Sequence, residues 1–97
     1  MLAEDEIRRI SNIFSAIGNP IRFKILTLVN ETERPLHIKA VAKILKKDYA
    51  AIYRHVKVLE KSGLIGIYEV GRSRVLYAKN AETVKQLIET AKTMIQK

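Results

Sequence analysis

Apolar and polar positions alternate along this chain in two rhythms. From residue 3 to 17 the apolar side chains Ile7, Ile10, Ile13, Phe14 and Ile17 recur at three- and four-residue spacing, which predicts a helix with one apolar stripe. Gly18 ends it, and Asn19-Pro20 opens the next helix, with Asn as N-cap and Pro where its missing N–H costs little. Residues 20–29 are apolar on nearly every side (Ile21, Phe23, Ile25, Leu26, Leu28, Val29), the pattern of a helix at the buried centre of a domain. The polar, proline-bearing stretch 30–35 is a loop. Residues 37–46 give a third helix, with Ile38, Val41, Ala42 and Leu45 inward and Lys39, Lys43 and Lys46 on another face. After a short break a fourth helix spans 48–62, with Asp48 as N-cap and Gly63 as the residue that ends it. Ile52, Val56 and Leu59 form its inner stripe. Ala50, Tyr53, Arg54, Lys57 and Lys61 form an outer face that reads as slim, basic and free of acids.

Beyond Gly63 the period shortens to that of strands. Residues 64–70 and 74–79 are rich in β-branched and aromatic side chains, and the Gly71-Arg72-Ser73 connection between them signals a hairpin. Asn80 is then the expected cap of a last helix carrying Val84, Leu87, Ile88, Ala91 and Ile95 on one side. The predicted fold is mainly α with a β-hairpin, in the order of four helices, two strands and a final helix. Two helices joined by a tight turn and followed by a hairpin make a winged helix-turn-helix, here one domain over 1–97. The end segments 1–17 and 81–97 add more apolar face than a three-helix core needs. Ile7, Ile10, Phe14, Ile17, Val84, Leu87, Ile88, Ala91 and Ile95 are therefore expected to pair two copies of the chain, the alternative being that the domain's own core absorbs both stripes.

Charge sharpens this picture through its placement. The net charge is +8 over 97 residues. Residues 1–33 and 75–97 are close to neutral, whereas 34–74 hold ten basic side chains against three acidic ones. Clustered Lys and Arg are the electrostatic footprint of a nucleic-acid binder. A major groove admits a helix of the kind predicted over 48–62. There are no cysteines, which excludes disulfides and thiolate metal sites and is compatible with a reducing cytoplasm. Abundant Ile, Lys and Glu without Cys lean towards a thermophile. The start MLAEDEIRR is acidic without an apolar run, so no secretory signal is expected, and no stretch approaches the ~18 apolar residues of a membrane span.

Within the basic region the candidates divide by chemistry. Arg54 is placed to donate two hydrogen bonds to guanine, Tyr53 to meet a phosphate or a thymine methyl, and Ala50 and Ala51 to allow close approach. Lys39, Lys43, Lys46 and Lys57 suit phosphates, which position a protein without reading sequence. Arg72 and Arg74 put two guanidinium groups at the hairpin, a self-repelling arrangement that a polyanion relieves. For each of these the ordinary alternative is a solvated, solubilising side chain. His55 reads as a histidine flanking the core and His37 as a capping or surface residue. With no carboxylate cluster beside them, neither metal nor cofactor is expected. No paired carboxylates, phosphate-cradling glycine loop or nucleophile with a base points to an enzyme.

Three segments, 16–29 (AIGNPIRFKILTLV), 50–65 (AAIYRHVKVLEKSGLI) and 68–78 (YEVGRSRVLYA), together resemble the ArsR-type winged helix-turn-helix repressors over nearly the whole chain. The resemblance implies a homodimeric transcription factor, paired through its first and last helices and bound to a near-palindromic operator. The family's usual metal sites, paired cysteines on the third helix or Asp/His/Glu sets on the last, have no counterpart here, so metal sensing is not implied. The expected partners are double-stranded DNA and a second copy, with no membrane, and the expected location is the cytoplasm at the nucleoid. Two other readings use the same surfaces: a non-specific, chromatin-like DNA binder, and a winged helix that contacts protein or RNA.

Overall fold

The computed structural model describes residues 1–96. Its elements run α1 (Glu4–Ile17), α2 (Pro20–Glu31), β1 (Leu36–His37), α3 (Ile38–Leu45), α4 (Tyr49–Lys61), β2 (Ile65–Val70), β3 (Ser73–Ala78) and α5 (Ala81–Ile95). This is the expected helical fold with a hairpin, plus one short strand that the pattern did not signal. β1 pairs antiparallel with β3 through Leu36↔Leu76 and His37↔Val75, giving a three-stranded sheet of order β1-β3-β2. Two residues carry no periodicity of their own, and their partner lies some 40 positions further along the chain.

Local chemistry sets the boundaries. Glu4, Asp5 and Glu6 lie in the first turn of α1, where carboxylates complement the helix dipole, and Glu6 accepts the Ala3 amide at 3.0 Å. Asn19 caps α2 as expected, its Oδ1 accepting the amides of Ile21 and Arg22 at 2.9 and 3.0 Å. Two expected caps differ. Asp48 occupies the N-cap position of α4, but its carboxylate accepts no amide there. Asn80 precedes α5 in a left-handed conformation (φ 54°) and turns its side chain back, donating Nδ2 to the Gly63 carbonyl at 3.1 Å. Gly63 has φ 77°, the left-handed geometry expected after α4. α3 ends on Lys46, also left-handed at φ 55°.

The hairpin turns on two residues, Gly71 and Arg72, and Ser73 already pairs with Val70. Gly71 alone of the two has positive φ (60°), as a type II′ turn requires at its first central position.

The core is formed by Ile25, Leu26 and Val29 of α2, Ile38, Val41 and Ala42 of α3, and Ile52, Val56 and Leu59 of α4. Ala16, Leu64, Ile65, Leu76 and Val84 complete it from the surrounding elements. No polar or charged residue is buried among the described residues. A fully buried Ile or Leu contributes about 1.5–3 kcal/mol relative to an exposed one, so these three helices and the sheet hold the domain together. α2 is central, as its pattern predicted, although Phe23 on its outer side stays 37% exposed. Val84 departs from expectation. It is 2% exposed and belongs to this core, because the start of α5 packs on α2 before the helix runs outward. It is therefore not available to a second chain. No helix among the described residues is long and apolar enough to cross a membrane.

Candidate nucleic-acid interface

α4 buries Ile52, Val56 and Leu59 against the rest of the domain and turns its other side outward. Ala50 and Arg54 are exposed, whereas Ala51 and Tyr53 are half-buried, and Tyr53 packs against the core edge. The outer face is not free of acids as the sequence suggested. Glu60 accepts a hydrogen bond from Lys57 Nζ at 2.7 Å, one turn along the same helix. That bond raises the Lys57 pKa, more than the slight burial of the ammonium lowers it. Arg54 makes no ion pair with any described residue, and neither do Lys39, Lys43, Lys46, Lys47, Lys61 or Arg72. Lys39 and Lys43 are exposed one turn apart on α3, and Lys46 is exposed at the left-handed residue that ends it.

The hairpin and α4 meet at their polar edges. Tyr49 and Tyr53, four residues apart, stack with ring centroids 6.3 Å apart and planes within 9°. The guanidinium carbon of Arg74 lies 4.7 Å from the Tyr53 ring centroid, and Arg74 Nη1 donates to the Tyr49 hydroxyl at 3.1 Å. Lys57 Nζ stands 6.0 Å from the same Tyr53 ring. The hydrogen bond to Tyr49 raises the already high Arg74 pKa. Tyr53, Lys57 and Arg74 are thus brought together, and the arginine-bearing hairpin shares a surface with the cationic side of α4. Arg72, at the turn, stands apart and exposed.

Two residues of this region escaped the sequence reading. Tyr49 sits at the first position of α4, where only its spacing of four from Tyr53 hinted at a stack. Arg22 had no part in the apolar pattern that marked α2. In the structure its Nε donates to the Ala16 carbonyl at 2.7 Å, its Nη2 to the Ser15 carbonyl at 3.3 Å, and its Nη1 lies 3.2 Å from His55 Nδ1. Burial, together with the positive charges of Arg22 and Arg54, lowers the His55 pKa. His55 flanks the core as expected. His37 sits at the N-cap position of α3 without making a side-chain cap. Among the described residues no three metal-ligating side chains come together.

Outside this cluster, α1 and α5 carry the unspent apolar surface. Ile7, Ile10 and Phe14 are exposed, Phe14 at 56% and Ile95 at 80%. Ile17, Leu87 and Ile88 are half-buried, Ile17 and Ile88 leaning on the core, and Ala91 is exposed. Ile17, Phe23, Leu87, Ala91 and Ile95 border an apolar groove of about 320 Å³ between α1, α2 and α5.

Comparison with known proteins agrees with this geometry. The family model described as HVO_A0114 matches residues 19–85, from the cap of α2 into α5. An HTH-type transcriptional regulator of Sulfolobus spindle-shape virus 1 is 36% identical over 67 residues, 69% of this chain. The chain spans 56% of that relative's length. An HTH-type transcriptional regulator of Methanocaldococcus jannaschii is 28% identical over 85 residues, 88% of this chain and 93% of the relative. Among solved structures, a homodimeric winged helix-turn-helix DNA-binding domain from Mycobacterium bovis, described as a possible ArsR-family regulator, superposes with a TM-score of 0.79 at 15% identity, covering 97% of this chain and 87% of that one. The ArsR-type resemblance in the sequence is thus matched by the fold.

Proposed function

The chain belongs to the HVO_A0114 family, and from that premise we propose that it is a transcriptional regulator that binds double-stranded DNA sequence-specifically as a homodimer. The observation that carries this reading is Arg74 lying on the Tyr49–Tyr53 pair, which sets the hairpin beside the outer face of α4. In this reading α4 enters the major groove, where Arg54 and Tyr53 meet base edges and Ala50 and Ala51 permit the approach. Lys39, Lys43, Lys46 and Lys57 meet phosphates, Lys57 after exchanging Glu60 for a phosphate oxygen, and the hairpin tip tracks the backbone. The exposed apolar sides of α1 and α5, without Val84, pair two copies. The homodimeric state of the Mycobacterium bovis domain supports this assignment. Two reading helices then address half-sites about 34–36 Å apart on a near-palindromic operator. A dimer seated there excludes other proteins from that DNA, so repression is the output we assign.

The test is a titration of the protein against duplexes selected from genomic DNA and against scrambled duplexes of the same length, at several fixed salt concentrations. The reading expects steep salt dependence on both and affinities that differ by at least about 10³-fold in favour of the selected site. Equal affinities would assign the surface to non-specific DNA packaging. Absence of duplex binding would assign it to protein or RNA.

A further inference from the structure

The hairpin carries two arginines two positions apart, and the structure uses them differently. Every residue from Tyr68 to Ser73 is exposed, so the outer half of the hairpin has no core contact of its own. A two-stranded ribbon without such contacts is only marginally ordered. Arg74 is the half-buried side chain nearest the tip on β3, and it reaches across to α4, with Cζ 4.7 Å from the Tyr53 ring centroid and Nη1 3.1 Å from the Tyr49 hydroxyl. The Tyr49–Tyr53 stack holds both acceptors at fixed spacing on one helix face. A planar guanidinium suits this pair because it stacks on a ring and donates from its edge at once, which an ammonium does not do. Arg72, by contrast, is exposed at the turn and makes no ion pair with the described residues.

Resting on the DNA-binding reading above, we propose that Arg74 is a positioning residue. It clamps the hairpin to the first turns of α4 and so fixes where Arg72 meets the DNA backbone, while making no phosphate contact itself. The two arginines therefore act in series. Arg72 neutralises a phosphate, and Arg74 sets the place from which it does so.

The test is a double-substitution cycle on duplex affinity and its salt dependence, with Arg72→Ala, Arg74→Lys and the pair. Arg72→Ala should lower affinity several-fold and flatten the plot of log affinity against log salt by about one phosphate equivalent. Arg74→Lys, which keeps the charge, should lose affinity nearly as much, because Arg72 then loses its placement. In the Arg72→Ala background Arg74→Lys should add little further loss. Losses that multiply, or an Arg74→Lys protein with undiminished affinity, would overturn the proposal and make Arg74 a second, independent phosphate contact.

A readout on the free protein separates this from the DNA-binding reading itself. In backbone amide relaxation measurements, Gly71 and Arg72 should become more mobile on the nanosecond scale in Arg74→Lys and in Tyr53→Leu, with core amides unchanged. Unchanged tip mobility overturns the clamp whatever the protein binds. Failure of the unsubstituted protein to bind duplexes, with the mobility change present, overturns only the DNA reading and leaves the clamp standing.

Discussion

The middle and the ends of this chain leave two different kinds of surface unspent. The middle leaves charge, as cations on α3, α4 and the hairpin tip with few acids to meet them. The ends leave apolar area, the exposed faces of α1 and α5. In water these have unequal consequences. A solvated lysine or arginine is well hydrated and waits for a polyanion at little cost. Apolar surface costs about 25 cal/mol for every Å² left in contact with water, so it favours being covered whether or not DNA is present. On the proposed reading, pairing of copies is the standing condition of the molecule and DNA binding the event superimposed on it.

The largest effect should come from breaking the ends while sparing the middle. Ile10→Asp with Phe14→Asp should yield a folded monomer by sedimentation and circular dichroism, and operator affinity should fall by about 10²–10⁴-fold as bivalency is lost. A monomer that bound the operator undiminished would show that the two surfaces serve unrelated purposes. Next, Arg54→Ala should relax preference at one base position by about 1–3 kcal/mol and leave the dimer intact, measured by selecting bound sequences with each protein. A substitution at the joint between the regions provides a control. Asn19→Ala removes the acceptor of two amides at the start of α2 and should cost ~1 kcal/mol of stability in a denaturant titration, without changing either base preference or the dimer.

The smallest effect concerns pH. His55 has a lowered pKa in the folded protein, through burial first and then the charges of Arg22 and Arg54. As pH falls, the unfolded chain takes up this proton before the folded one does. Stability should therefore decline as pH drops from neutrality through the ordinary histidine value of about 6.5 to the lower folded pKa, and stop declining from this source below it. Melting curves across that range should show the slope, and His55→Gln should flatten it.

Most of the fold was legible in the sequence because the apolar stripes of α1, α3, α4 and α5 each hold a single period over two turns or more, and α2 is marked by being apolar on nearly every side. Strand β1 was not legible, because two residues cannot show a period and their pairing with Leu76 and Val75 is non-local. Asn19 caps α2 as expected, and the two caps that failed did so for a related reason. Asp48 and Asn80 are the right residue types in the right places, yet where a short polar side chain points is settled by tertiary neighbours, and for Asn80 that neighbour is the Gly63 carbonyl. At the interface, the sequence marked Tyr53, Lys57 and Arg74 singly. It could not show that they meet, since the Tyr49–Tyr53–Arg74 contact joins residues 25 positions apart. Lys57 illustrates the limit of reading one face at a time, because Glu60 sits one turn along and reaches back to it.

Arg22 has a consequence for the chemistry open to His55. A guanidinium only donates hydrogen bonds, so the His55 Nδ1 it faces must offer its lone pair, and the imidazole carries its proton on Nε2. The Nδ1 lone pair is thus turned towards a fixed cation that also closes the end of α1. A divalent ion approaching Nδ1 would have to displace an arginine that holds two backbone carbonyls. On that side the ring is committed to holding the start of α2 and the middle of α4 against the end of α1.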